Sequence, residues 1–131
     1  MKIATLLVLA LLAGCVSMPT PQETGSADYG QYPADYQRIV RQYLDATLKD
    51  PGSAQYGAMT QPKQYWVHRG LNTTVYGYLV CTAINAKNSF GGYVGFRNAG
   101  FLIRDGRVIE YLQDGYWGSN NACVGTSSLT G

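Results

Sequence analysis

Between residues 33 and 49 the apolar side chains Tyr36, Ile39, Val40, Tyr43, Leu44 and Leu48 recur at three- and four-residue steps, with Asp35, Arg38, Arg41, Gln42, Asp45 and Lys49 between them. That is one stripe of an amphipathic helix. Pro33 suits the first turn, where a missing N–H costs nothing, and Asp35 lies at the positive end of the dipole. Asp50-Pro51-Gly52 stops the run, because a residue before proline avoids the α region. The spacing predicts a helix over 33–49.

After Gly52 the helical period does not return, and short runs rich in Tyr, Val, Trp and Thr are separated by Gly and Asn, as in antiparallel strands. Residues 63–69, KQYWVHR, form a first strand that ends at Gly70-Leu71-Asn72. Residues 75–85, VYGYLVCTAIN, form the longest. Its two alternating sets, Tyr76, Tyr78, Val80, Thr82 and Ile84 against Val75, Gly77, Leu79, Cys81 and Ala83, are both substantially apolar, so it is central, with the helix covering one side. Residues 93–96 read as a further short strand. Residues 100–104 and 107–112 flank Asp105-Gly106, whose readiness for positive φ predicts a type I′ hairpin. That turn opposes Arg104 to Arg107, a like-charge pair that Asp105 offsets. From Asp114 onward Gly, Ser and Asn dominate, which reads as loop pinned at Cys123. The fold class is α+β: one N-terminal amphipathic helix packed on an antiparallel sheet of about four or five strands.

The first fifteen residues follow another rule. Lys2 precedes an apolar run from Ile3 to Ala13, about half the roughly 20 residues a transmembrane helix needs, which suits a secretory signal. Leu12-Ala13-Gly14-Cys15 resembles the lipobox of bacterial lipoproteins. The resemblance implies that residues 1–14 are removed as a signal peptide and that Cys15 is lipidated. Val16 is not the Asp that in that family retains a lipoprotein in the inner membrane, which implies an outer-membrane, periplasm-facing, lipid-anchored chain. Residues 15–32, with Pro19, Pro21, Gly25 and Gly30 among polar residues, read as a flexible tether with a reach of roughly 20–25 Å. The domain is then 33–131. With Cys15 given to lipid, Cys81 and Cys123 remain, and an even remainder in an oxidising compartment reads as one disulfide, worth roughly 3–4 kcal/mol by loop entropy. The competing reading, a redox-active pair, lacks the C-x-x-C spacing that lowers a thiol pKa.

Composition bounds the partners. The 131 residues suffice for about one domain, and 10 basic against 8 acidic side chains leave a net charge of +2 that falls by one when Lys2 is removed. Nucleic acid and anionic lipid both demand clustered cations, so neither is an expected electrostatic partner. Tyrosine is the anomaly, at 11 against 3 Phe and 2 Trp. It serves half-buried sheet positions and wet contact surfaces alike.

Candidate chemistry concentrates in residues 85–96, NAKNSFGGYVGF. Asn85, Asn88, Gly91, Gly92 and Gly95 tolerate positive φ, so the stretch can turn tightly and carry Lys87, Asn88, Phe90 and Tyr93 as partner-binding residues. Read otherwise, it is a glycine-rich connection in which Phe90 folds back onto the core. It matches neither phosphate-loop pattern, and no helix follows it. His68 is the lone histidine, which is too few for a zinc site, and no G-x-S-x-G elbow accompanies it. Glu110 and Asp114 are the only neighbouring carboxylates near a strand end, a thin basis for glycosidase chemistry. No catalytic residue, metal or cofactor is expected.

Lys49-Asp50-Pro51-Gly52-Ser53-Ala54-Gln55-Tyr56, the strand bearing Cys81, and the segment from Asn85 to Tyr93 together resemble a recurrent class of small secreted bacterial proteins without an assigned activity. The resemblance covers about residues 36–105 and transfers no catalytic residue. The expectation is a non-enzymatic envelope lipoprotein that binds a protein partner or supports a larger envelope assembly. The alternative is a periplasmic inhibitor or immunity protein for a cell-wall hydrolase, by loose analogy with small β-rich lipoproteins that inhibit lysozyme. An enzyme of another type is a third, weaker reading.

Overall fold

The computed structural model describes residues 17–118 and 120–124. The signal segment 1–14 and Cys15 lie outside the described residues. A short helix α1 (Pro21–Ser26) comes first, then α2 (Tyr36–Thr47). The strands follow as β1 (Gln55–Tyr56), β2 (Lys63–Arg69), β3 (Thr73–Asn85), β4 (Arg97–Arg104), β5 (Arg107–Gln113), β6 (Tyr116–Trp117) and β7 (Asn120–Asn121).

The helix predicted over 33–49 is α2, trimmed at both ends. Tyr36 N–H donates to Pro33 O in a turn that precedes the helix, and Leu48 leaves it with extended backbone (φ −73°, ψ 147°) as Asp50-Pro51 approaches. Its stripe behaves as the spacing requires: Tyr36, Ile39, Val40 and Leu44 are buried.

Five antiparallel strands form the main sheet, with β3 at its centre. One edge of β3 pairs with β4, from Tyr78↔Ile103 to Ile84↔Arg97. The other takes β2 along its first half, from Arg69↔Thr73 to Lys63↔Leu79, and β1 at its end through Tyr56↔Ile84. Thr60 N–H donates to Cys81 O (2.9 Å) and Gly57 N–H to Ala83 O (2.8 Å), filling the gap between β1 and β2. The β4–β5 hairpin turns at Asp105 (φ 50°) and Gly106 (φ 78°), the two positive values that a type I′ turn requires, and Arg104 faces Arg107.

Because β3 is apolar on both faces, the sheet carries two cores. On one, Val80, Phe101 and Ile103 pack under Tyr36, Ile39, Val40 and Leu44 of α2. On the other, Leu79, Leu102, Leu112 and Val67 pack around a disulfide between Cys81 and Cys123, whose Cα atoms are 5.9 Å apart. The helix covers one side as expected, and the disulfide-held C-terminal segment covers the other. That segment is more than loop, since β6 and β7 form a small hairpin, Tyr116↔Asn121 and Trp117↔Asn120.

Two further expectations need correction. Residues 93–96 do not join the ladder. Gly95 sits at φ 95° and gives its N–H to the Asn85 side chain (3.0 Å), leaving an isolated bridge, Lys87↔Tyr93. In the 15–32 stretch, expected to be a flexible tether, Thr20 and Glu23 make a reciprocal capping box at the start of α1, and residues 27–32 lie against the sheet as a strap. Tyr29 is only 7% exposed, edge-on to Tyr76 (5.4 Å between ring centres), with its hydroxyl donating to Thr24 O (2.7 Å). Tyr32 meets Tyr78 at 5.4 Å in the same geometry. Arg104 closes the strap by donating to the Asp28 carboxylate (2.8 Å) and to Tyr76 O (3.1 Å). The Gly30 N–H, then the Arg104 guanidinium, hold the Asp28 carboxyl below its usual pKa. A long-range aromatic socket therefore orders a segment whose own composition carries no period.

Candidate functional site

The Gly-rich loop that joins β3 to β4 is built around one side chain. Asn88 Oδ1 accepts from the backbone N–H of Phe90 (2.9 Å) and of Gly92 (3.2 Å). The Asn88 N–H donates to Gly92 O (2.8 Å), and the Gly91 N–H to Asn88 O (3.1 Å). Gly91 turns the chain at φ 80°, where an L side chain is strained. The foot of the loop is fixed by buried Asn85, whose Nδ2 donates to Gln55 Oε1 (3.0 Å) while its Oδ1 takes the Gly95 N–H.

Side-chain contacts then dock the loop on the α2–β1 connection. Tyr93 donates its hydroxyl to Ser53 O (2.9 Å), Lys49 Nζ donates to Ser89 Oγ (2.7 Å), and the Lys87 ammonium lies over the Tyr93 ring at 5.4 Å from its centre. The loop is thereby held in one shape, and that shape projects Phe90 into solvent, 97% exposed. Phe90 does not fold back onto the core. Tyr93, Val94 and Phe96 are also exposed, so four large apolar side chains crowd one end of the molecule. Lys87, Asn88, Phe90 and Tyr93, the residues the sequence singles out, are brought together here. Their roles differ: Asn88 shapes the loop, Lys87 and Tyr93 brace one another, and Phe90 is presented. Val94 and Phe96, which the sequence pattern assigns to a strand, extend the same apolar end.

Beside the loop lies a cleft of about 160 Å³. Leu44, Leu48, Ile84 and Ala99 line it from the core, and Ala86 and Val94 line it from the loop. Arg97 and Asp114, paired at 2.9 Å, stand with Asn98 and Gln113 among its polar lining. A larger depression runs along the polar face of α2 and is lined by Gln37, Arg38, Arg41, Gln42 and Asp45.

The remaining candidates are engaged elsewhere. His68 Nδ1 meets Thr74 Oγ1 across the β2–β3 pair (3.0 Å), its ring lies edge-on to Trp66 (5.1 Å), and its buried Nε2 has no partner among the described residues. Glu110 is bound by Arg69, and Asp114 by Arg97, so the two carboxylates serve separate ion pairs. Among the described residues there is no cluster of three or more His, Cys, Asp or Glu side chains able to hold a metal, and no helix long and apolar enough to cross a membrane. Comparison with protein-family models, with curated proteins and with solved structures finds no match to this chain.

Proposed function

We propose that the chain is a non-enzymatic cell-envelope lipoprotein, anchored in the outer membrane through lipid on Cys15, whose Lys87-to-Tyr93 loop binds an envelope protein within a larger assembly. The observation that carries the contact reading is Phe90. A phenyl ring left 97% exposed loses the roughly 1.5–3 kcal/mol that burial would contribute, and here a dedicated set of Asn88 hydrogen bonds holds it out. Rigid aromatic anchors at the centre of an apolar patch are what binding hot spots are made of. The tyrosine excess divides accordingly: Tyr29, Tyr32, Tyr76 and Tyr78 go to a structural socket, while Tyr93 goes to the loop.

Two experiments test the anchor and the contact separately. Cys15→Ser is expected to abolish incorporation of labelled fatty acid and to release the protein from membranes. Retention of both would overturn the anchor. A photoreactive amino acid at position 90 is expected to crosslink an envelope protein in intact cells, and the wild-type association is expected to weaken at least tenfold on Phe90→Ala, with folding stability changed by less than about 0.5 kcal/mol. An absence of adducts, with wild-type behaviour after replacement of the whole loop, would overturn the contact assignment.

A further inference from the structure

We infer that the Phe90 face pairs with a second copy of this chain, each copy seating its Phe90 ring in the cleft of the other. The inference rests on the contact-loop reading above and names its partner.

Two observations point to a second copy, and a third sets how strongly it is held. The first is fit. The cleft measures about 160 Å³, with Leu44, Leu48, Ile84, Ala86, Val94 and Ala99 forming its apolar wall and Arg97, Asn98, Gln113 and Asp114 its polar one. An apolar cavity of about 150 Å³ accepts a benzene ring. The chain therefore carries both an exposed phenyl and a receptacle of phenyl size.

The second is placement. The loop that projects Phe90 also contributes Ala86 and Val94 to the cleft wall, so knob and hole are a few residues apart. A two-fold axis through the loop exchanges them reciprocally, in a contact that closes rather than propagates. The Arg97–Asp114 pair makes its side of the cleft lining charge-balanced, so two identical linings meet there without net repulsion.

The third is area. Phe90 is exposed almost entirely and Tyr93 and Phe96 by about half. At ~150–250 Å² for a whole aromatic side chain, the three rings offer roughly 300–500 Å². That rivals the largest apolar patch of an ordinary monomer. Burying it on both copies removes roughly 600–1,000 Å², below the ~1,200–2,000 Å² of a standard stable interface. The pairing is thus weak in free solution, and confinement to a membrane surface would strengthen it by raising the effective concentration.

The test uses two differently tagged full-length copies co-expressed in cells, with a photoreactive residue at position 94 on the cleft wall of one. The expected product is an adduct bearing both tags. It should fall at least fivefold when the other copy carries Phe90→Ser, a change at an exposed site that leaves the fold intact, and likewise when Ala86→Phe fills the cleft of the probe copy. A probe copy carrying Phe90→Ser, mixed with a second copy carrying Ala86→Phe, should keep the adduct, because the one ring-and-cleft contact left intact is then the one beside the probe. A doubly tagged adduct indifferent to these changes would overturn the inference. Adducts only with a different protein would overturn it while leaving the contact loop standing, and no adduct from position 90 or 94 would remove both.

Discussion

A glycine can be required by what its neighbours occupy rather than by its φ. A Cβ built on Gly77 would lie 2.7 Å from Ile103 O and 3.1 Å from Leu102 Cγ, where β3 and β4 come together. Gly77→Ala must push these central strands apart, and an overpacking cost of about 1–3 kcal/mol is expected, read as a lower denaturant midpoint. Gly91 differs: nothing lies within 4 Å of its added Cβ, and only its positive φ resists substitution. Gly91→Ala should therefore act on the loop alone, loosening the Phe90 and Gly92 amides in hydrogen exchange with a small global change. The positive φ of Gly91 was readable in its Gly- and Asn-rich setting, whereas the steric demand on Gly77, set by the facing strand, was not. The direction of Phe90 was equally illegible. It is decided by which backbone amides Asn88 captures, and no periodicity reports on that.

At the scale of elements, what local pattern governs was legible. The 3.6-residue stripe located α2, runs rich in Tyr, Val, Trp and Thr bounded by Gly and Asn located β2 and β3, and Asp105-Gly106 located the β4–β5 turn. What distant partners govern was not. The strap at residues 27–32 is ordered by Tyr76, Tyr78 and Arg104, all far away in sequence. One local sign was available: Thr20 and Glu23 stand at capping-box spacing ahead of α1. A chain beginning at residue 33 lacks Asp28 and Tyr29, and it is expected to lose about 3 kcal/mol and several degrees of melting temperature. A chain beginning at residue 27 should lose far less, and equal stabilities would refute the strap. The Cys81–Cys123 disulfide spans a sequence separation of 42 and clamps the β6–β7 hairpin onto the second core. Cys81→Ala with Cys123→Ala should cost roughly 3–4 kcal/mol in chemical unfolding.

The molecule as a whole is tuned by its phenols. Burial, ahead of any neighbouring charge, raises the pKa values of Tyr29, Tyr56, Tyr65 and Tyr111 above the ordinary 10.0. A raised folded-state value means that the neutral phenol is favoured by folding. The corresponding stability is complete below about pH 10 and is lost as pH rises through the higher folded values. Absorbance at 295 nm should show a subset of tyrosines ionising late, together with the loss of circular dichroism, and simultaneous ionisation of all of them near pH 10 would contradict it. On the acid side, the exposed carboxyls of Asp28, Glu23 and Asp35 are held low by their hydrogen bonds, so their contribution is present above the usual carboxylate range and fades as pH falls through the folded values.

The central strand also works as a ruler. The strap grips β3 near its start, at Tyr76, and the Phe90 loop leaves from its end, at Asn85. At ~3.3 Å per residue these points are roughly 30 Å apart. On the proposed anchor at Cys15, the strap marks the end of β3 nearer in sequence to the lipid, and the aromatic tip marks the opposite end. A partner of the proposed kind, a second copy included, would have to meet the chain at that far end.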